Sequence, residues 1–482
     1  MNIPRLLIAA LKGGSGKTLV TVGLVAALRR RGLCPSVFKK GPDYIDSGWL
    51  SMGAKRPCYN LDQYLCHRDI VLGSFMMRSE GSGIAVVEGN RGLFDGVDNQ
   101  GSYSSAELAK LLSSPVILII DCVKMTGTAA ALVKGCLQFD PELPLAGIIL
   151  NRVKGLRHEK VVRQSIERIC DIPVLGVMPG MSLKNFPQRH LGLLPIHEHP
   201  ASVKFIDEAQ IIAENNLELD QIIKVAQTAK TLRPILDSLK NQNDLCCSPR
   251  VTIGILRDSA FHFYYPENIE ALVSRGAYVT EISALESKSL PDIDALYIGG
   301  GFPETNADRL SDNRPFLASV KSFVESGGPV YAECGGFMFL ARDLVVDHKK
   351  FPMVGAFSAS SILNRKPQGL GYVELKARFN NPFFKLGKTL KGHEFHYSTM
   401  VIHDNKNSLQ TFDVLRGHGI DGNHDGLSVK NTLGLYTHVH ALGEPGWADA
   451  MIRKAREFQL TKILHNENTR NAKIPEVHGC RP

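Results

Sequence analysis

Lys12-Gly13-Gly14-Ser15-Gly16-Lys17-Thr18 directly follows Leu6 to Ala10, an apolar run that reads as a buried strand, and precedes a helical segment from Leu19 to Arg31. Strand, glycine-rich loop and helix in that order make a phosphate cradle. The glycines let the backbone turn its N–H groups inward, Lys17 brings a cation to β- and γ-phosphates, and Thr18 offers Mg2+ a hydroxyl at the helix start. Gly13, Gly14, Ser15, Gly16, Lys17 and Thr18 are therefore expected to hold a nucleotide. The loop is a variant: the G-x-x-x-x-G-K-[ST] spacing would put a glycine where Leu11 stands, and K-G-G-x-G-K-T is the nearer form.

Outward from this loop, Pro35 to Phe38 reads as a second strand and leads into Lys39-Lys40-Gly41-Pro42-Asp43-Tyr44-Ile45-Asp46. Two acids three apart beside a Gly-Pro turn suit a divalent cation or a substrate when a nucleotide is near, because hard cations take carboxylate oxygens. Ile84 to Val87 ends in Glu88, with Asn90-Arg91-Gly92-Leu93-Phe94-Asp95 just beyond. An acid at the carboxyl end of a buried strand stands where open parallel sheets bind ligands. The pattern recurs at Pro115 to Ile120 before Asp121, Leu145 to Leu150 before Asn151, and Val174 to Val177. Apolar strands alternating with helices predict an α/β, doubly wound parallel sheet covered on both faces. Phe205 to Leu239 reads as helix, and a polar break follows at Lys240 to Asp244 with Ser248-Pro249.

From Val251 the strand–helix pattern starts afresh, through Tyr278 to Ile282, Ala295 to Ile298 and Pro329 to Tyr331. The expected organisation is a phosphate-loop domain at 1–235, a linker at 236–249, a second α/β domain at 250–460 and a disordered tail at 461–482. In the second domain Glu333-Cys334-Gly335-Gly336 places a cysteine on an elbow between strand and helix, where a helix N-terminus would lower its pKa and raise the thiolate fraction. Gly299-Gly300-Gly301-Phe302-Pro303-Glu304 ends another strand and could lend N–H groups to an oxyanion, with Gly300, Gly301 and Gly335 the candidates. His438, near the end of an apolar run, is the candidate base. Histidines 393 and 396, three apart on a strand, point to opposite faces and do not suit a shared metal.

Composition narrows the class. The 482 residues exceed what one core usually serves, and 44% hydrophobic with 22% charged residues is ordinary for a globular protein. No run of about 18 apolar residues occurs and the N-terminus lacks a signal-peptide pattern, so a cytoplasmic protein without membrane partners is expected. Ten cysteines without C-x-x-C or zinc spacing read as reduced thiols. A net charge of +8 without arginine runs or interleaved aromatics argues against nucleic acid and suits an acidic small molecule.

With these residues in place, the chain resembles the cobyrinate a,c-diamide synthase family across roughly residues 5 to 450. The likeness rests on Gly41-Pro42-Asp43-Tyr44-Ile45-Asp46, Asn60-Leu61-Asp62, Glu88-Gly89 with Gly92 to Gly96, Arg189-His190-Leu191-Gly192-Leu193, Phe263 to Asn268, Gly299 to Glu304, Glu333 to Gly336, Gly392 to Ser398 and Tyr436-Thr437-His438. The resemblance implies a dethiobiotin-synthetase-like ATPase half and a cysteine-type glutamine amidotransferase half. It further implies amidation of the a and c acetate side chains of a tetrapyrrole such as cobyrinate, with ATP, Mg2+ and L-glutamine. Thr18, Asp46 and Glu88 would hold metal, Asp43 and Asp95 substrate or phosphate, and Asn151 the adenine. Cys334 and His438 would hydrolyse glutamine as a pair, without a third acid.

Two departures bear on the substrate and on assembly. Ser47-Gly48-Trp49-Leu50 follows Asp46 where cobyrinate enzymes more often continue with Pro, which leaves sirohydrochlorin, its nickel chelate and sirohaem as alternative macrocycles. Lys12 stands where the family more often has a small residue; in K-G-G-x-G-K-T ATPases such a lysine reaches a partner's nucleotide, so a homodimer is expected. A phosphate-loop ATPase switch without amidation is the rival from another class, and a ligase fed by free ammonia with a dead glutaminase is a third reading. Cys334 on its elbow discriminates against the switch.

Overall fold

The computed structural model describes residues 2–179, 188–189, 192–193, 196–199, 201–233, 250–404 and 409–471. The chain divides into two compact units, Met1–Asn241 and Gln242–Pro482; the expected linker at 236–249 lies outside the described residues.

In the first unit, β1 (Arg5–Ala10), β2 (Pro35–Lys40), β3 (Cys58–Leu61), β4 (Ile84–Glu88), β5 (Val116–Asp121), β6 (Leu145–Val153) and β7 (Val174–Pro179) form one parallel sheet. Their order is β3-β2-β4-β1-β5-β6-β7. Between them run α1 (Lys17–Arg30), α2 (Ile45–Ala54), α3 (Arg68–Ser79), α4 (Ser105–Leu111), α5 (Gly127–Phe139) and α6 (Leu156–Cys170). From β1 the chain builds toward one edge through β2 and β3, and after β4 it crosses to β5 on the other side of β1, so the phosphate loop opens at a switch point of the topology, where α/β sheets bind ligands. Two short strands, β8 (Gln188–Arg189) and β9 (Gly192–Leu193), pair antiparallel; His190 and Leu191 lie outside the described residues.

Among the described residues the single helix expected from Phe205 to Leu239 is two, α7 (Ser202–Asn216) and α8 (Leu219–Gln227), and its end at 234–239 lies outside them. Leu217 breaks it: in extended conformation it bridges to Gly176, and Glu218 N–H donates to Leu175 O at 2.8 Å. An edge-strand contact and a buried leucine outweigh helix continuation here. Gly23 brings α1 against α7, since a Cβ there would stand 2.5 Å from Ala209 O. Trp49 is fully buried, its ring 4.7 Å from that of Phe205.

The second unit begins with β10 (Thr252–Leu256), α9 (Pro266–Ser274), β11 (Tyr278–Ile282), β12 (Ala295–Ile298), α10 (Ala307–Asp312), α11 (Arg314–Glu325), β13 (Val330–Glu333) and α12 (Gly335–Leu340). It continues with β14 (Ala341–Val346), β15 (Lys349–Pro352), β16 (Phe357–Leu363), β17 (Gly369–Ala377), β18 (Thr389–His396), β19 (Ser398–Ile402), β20 (Leu409–Arg416), β21 (His424–Val429), β22 (Thr432–Leu435), β23 (His438–Val439) and α13 (Pro445–Asn471). The main sheet runs β11-β10-β12-β13-β22-β21-β20-β17-β18-β23, parallel from β11 to β22 and antiparallel thereafter. A separate sheet of β15-β14-β16-β19, not foreseen from sequence, packs into the same unit. Helix α13 carries past the expected end of structure at 460, tied by Lys462 Nζ to Asp292 at 2.8 Å and to Asp294 at 2.7 Å. Residues from 472 onward lie outside the described residues. No helix among the described residues is long and apolar enough to cross a membrane.

Arg5 is a buried charge that the first unit must satisfy. Its guanidinium is wholly enclosed and donates to the carbonyls of Ile3, Leu112, Ser113 and Lys230, while burial pulls its pKa down to about 10. Arg5→Met keeps the length but leaves those carbonyls without their donors, so we expect a loss of about 3 kcal/mol. Urea unfolding followed by Trp49 fluorescence in a Trp447→Phe background measures it; a loss below about 0.5 kcal/mol would contradict the assigned role.

Candidate active site

In the first unit, β1 ends at the loop and α1 starts at Lys17 behind Gly16, whose φ of 86° is left-handed and free of strain only for glycine. A Cβ at Gly16 would collide with Asn151 Nδ2. No side chain caps α1, so its first N–H groups face the loop as donors for a phosphate. Asn151 Nδ2 donates to Ser15 O at 2.8 Å, bracing the loop from the end of β6. Beside it Arg152 donates to Gly14 O at 3.0 Å and to Asp121 at 2.9 Å. Lys17 Nζ donates to Arg91 O at 2.7 Å and to Lys12 O at 3.4 Å. Burial and then Lys39 lower the Lys17 pKa, against the pull of Glu88, Asp46 and Asp95.

Across the loop, the side chain of Lys39 is buried with its ammonium 2.7 Å from Asp46, 2.7 Å from Glu88 and 3.3 Å from Gly89 O. Burial alone would lower its pKa; Asp46, Glu88 and Asp43 outweigh that and raise it well above the usual lysine value. Thr18 Oγ1 donates to the same Glu88 oxygen at 3.0 Å. The other, Oε2, is buried and has no hydrogen-bond partner among the described residues. A spare carboxylate lone pair beside the Thr18 hydroxyl is the donor chemistry a hard divalent cation takes, so Thr18, Glu88 and Asp46 fit Mg2+. Asp43 Oδ1 accepts from Asp46 N at 2.8 Å, and Asp95 folds back to accept from Gly92 N at 2.8 Å. The sequence-derived residues of this half thus form one connected cluster. Within Ser47-Gly48-Trp49-Leu50, the stretch that departs from the family, Ser47 donates to Asp43 O at 2.6 Å and Trp49 is core.

In the second unit, Cys334 stands between β13 and α12 at φ 47°, ψ −100°, an elbow that costs a non-glycine residue about 1–3 kcal/mol. Three backbone bonds hold it: Cys334 N to Leu435 O at 2.8 Å, Met338 N to Cys334 O at 2.9 Å and Gly336 N to Gly299 O at 3.1 Å. Gly300, Gly301 and Gly335 meet here. A Cβ on Gly335 would lie 3.0 Å from Gly301 N, and one on Gly300 would lie 2.6 Å from His438 Cε1 and 3.3 Å from Nε2. The elbow, the triple-glycine loop and the imidazole therefore share one pocket, with no room for side chains on the loop.

Burial pushes the Cys334 thiol far up, with Glu304 adding to it and the Gly335 N–H opposing. This reverses the expectation that the helix N-terminus would lower it; α12 has only 6 residues, and desolvation of the sulfur wins. The His438 ring lies against His393, centroids 4.8 Å apart, and Tyr265 Oη is 3.1 Å from His393 Nδ1. Burial, then His438 and His440, hold His393 well below its usual pKa. Glu333, directly before Cys334, lies 3.4 Å from His438 Nδ1.

Residues 6–193 match the CobQ/CobB/MinD/ParA nucleotide binding domain, and residues 252–446 match the CobB/CobQ-like glutamine amidotransferase domain. The cobyrinate a,c-diamide synthase of Magnetococcus marinus is 42% identical over 95% of this chain and 98% of its own. The chain belongs to the cobyrinate a,c-diamide synthase family. Enzymes of that name from Archaeoglobus fulgidus and Methanobrevibacter smithii are each 37% identical over 94% of this chain and cover 98% and 99% of their own lengths. As a member of the cobyrinate a,c-diamide synthase family the chain is a glutamine-dependent amidating ligase with a nucleotide-binding half.

Sequence reading passed over Lys39, Arg152 and Glu333. Each carried a weak signal: a charged residue at or just past the carboxyl end of an apolar strand.

Asp43 yields a test of this charge cluster. Burial, and then Asp46, raise its carboxyl to about 7 against an unfolded value near 3.9. A raised folded pKa means stability present below about pH 4 and lost as pH climbs through 7. Between pH 5 and 7.5 the wild type should therefore lose more of its first-unit melting temperature than Asp43→Asn, which is neutral throughout. Parallel pH profiles from differential scanning calorimetry would refute the assignment.

Proposed function

We propose that this chain amidates the a and c acetate side chains of cobyrinate, using ATP and glutamine. The 42% identity over 95% of the chain to an enzyme of that name carries the reading, and the presence of both clusters supports it. A carboxylate is a poor acyl donor, and γ-phosphoryl transfer from ATP converts it to an acyl phosphate. Bound Mg2+ would supply charge neutralisation on the phosphates. Lys17 and the loop N–H groups orient the triphosphate, and Lys39 holds the Asp46 and Glu88 carboxylates in place. In the other half Cys334 attacks the glutamine carboxamide with His438 as base, and the N–H groups of Gly300, Gly301 and Gly335 receive the oxyanion. The nitrogen must leave as neutral NH3, because ammonium is no nucleophile, and it displaces phosphate from the acyl phosphate.

Asn151 against Ser15 O suits a neighbour of the adenine, and Asp43 and Asp95 belong to the substrate or phosphate side of the same cluster. A homodimer with Lys12 at a partner's nucleotide belongs to the same reading; Lys12 is exposed on the loop. So does a cytoplasmic location, where ATP, glutamine and reduced thiols coexist.

Cys334→Ser should lose glutamine-driven diamide formation by about 10^3-fold or more, since a hydroxyl is a far weaker nucleophile here. Ammonium buffered above pH 8 should restore it, while Lys17→Ala stays inactive with either nitrogen source. Mass spectrometry of products from ATP, each nitrogen source and a panel of cobyrinate, sirohydrochlorin, nickel-sirohydrochlorin and sirohaem reads the outcome. Cys334→Ser using glutamine at the wild-type rate would remove the amidotransferase assignment, and amidation of another macrocycle in preference to cobyrinate would replace the substrate.

A further inference from the structure

The nucleophile's own neighbour is a fully buried acid whose surroundings fix its charge. Glu333 Oε1 accepts from Val439 N at 3.0 Å, and Oε2 accepts from Tyr297 Oη at 3.1 Å. The direction of the second bond follows from the groups behind it. Asn268 Oδ1 accepts from Ala441 N at 2.7 Å, which makes its nitrogen the donor to Val439 O at 2.8 Å and to Tyr297 Oη at 3.2 Å. The Tyr297 oxygen is thereby an acceptor on that side, and its own proton goes to Glu333. Both oxygens of Glu333 thus face donors, which is the environment of a carboxylate rather than a carboxylic acid. Neutral donors do not cancel a buried negative charge, and such a group is costly unless a cation accompanies it.

The cation is generated by the reaction itself. His438 Nδ1 lies 3.4 Å from Glu333 Oε2, an ion-pair distance outside hydrogen-bond geometry, while Cε1 and Nε2 of the ring face Gly300. We propose that Glu333 is the positioning residue of the glutaminase: it holds the proton of His438 on Nδ1, keeps the Nε2 lone pair available as base, and stabilises the imidazolium formed when Cys334 is deprotonated. This rests on the assignment of Cys334 and His438 to glutamine hydrolysis and adds a third acid to the pair.

The steps balance. As the sulfur bonds to the carboxamide carbon, the thiol proton moves to Nε2. When the C–N bond breaks, that proton leaves with the nitrogen as NH3. Water then cleaves the thioester through the same base, giving glutamate and the restored thiol. The other groups facing the imidazole do not supply a counter-charge. His393 stacks on its face and is held neutral by burial, while His440, which lies 3.7 Å from Glu267, pairs with that acid instead. Tyr297 is itself held protonated by burial and by Glu333.

The test is glutamate release from glutamine by the full chain, across pH 5.5 to 9. Glu333→Gln should lower kcat by about 100-fold or more with KM for glutamine within about threefold. The acid limb of its kcat/KM profile should move down by about one pH unit or more, because loss of an adjacent negative charge makes the imidazole less basic. A purely structural residue would lower the amount of active enzyme and leave that limb in place. A kcat within threefold of wild type and an unmoved limb would overturn the proposal. Independently of any Glu333 variant, nitrogen-15 NMR of histidine-labelled wild type should show His438 protonated at Nδ1 and unprotonated at Nε2, the resonance being assigned by its absence in His438→Ala. The opposite tautomer would equally overturn it. Cys334→Ser run in parallel separates the two levels: glutamate release that survives it refutes the amidotransferase assignment, whereas with release abolished the pH profile and the tautomer decide the role of Glu333.

Discussion

A strand in the interior of a sheet covered on both faces can present only core side chains, so the chemistry of both units is confined to the carboxyl ends of their parallel strands. Leu6, Leu7, Ile8, Ile117, Leu118 and Ile119 have no exposed surface, and the same holds for Leu296, Tyr297 and Ala332 in the second unit. Polar function starts where the strands stop. Glu88 closes β4, Asp121 closes β5, the triple-glycine loop follows β12 and Cys334 follows β13. The two sites differ in chemistry yet obey the same packing rule.

The two clusters handle buried charge in contrasting ways. Around the phosphate loop, the ammonium of Lys39 lies between two carboxylates before any ligand arrives, so these acids are assembled against their mutual repulsion by a cation built into the fold. In the second unit the acid comes without a permanent counter-ion. Its neighbours Tyr297 and Val439 satisfy its lone pairs while leaving its charge. One arrangement suits a site that receives a highly anionic nucleotide, the other a site where positive charge appears only in passing.

The fold class, the phosphate loop and the cysteine elbow were legible in the sequence because each depends on local pattern: apolar runs of strand length, glycines at fixed offsets, a nucleophile between strand and helix. Lys39 and Glu333 were not, because their roles depend on which strands become neighbours. Lys39 meets Glu88 only because β2 pairs with β4, and Glu333 meets His438 only through the pairing of β13 with β22 and the return of the chain along β23. A lysine in Phe38-Lys39-Lys40 looks like a solvated strand end until that pairing is known. The rise in the Cys334 pKa was missed for a related reason: desolvation is a property of the whole pocket, whereas a helix N-terminus can be read from five residues. The break at Leu217 has the same origin, since only the edge of β7 gives an extended leucine something to bridge.

The buried, protonated state of Cys334 bears on durability as well as on rate. Peroxide and disulfides react with thiolates, and their rates follow the thiolate fraction and the access of the reagent. A sulfur with little exposed surface, pointing at Phe395 O and kept protonated by burial, presents little of either. The burial that raises the Cys334 pKa therefore also limits its reaction with oxidants.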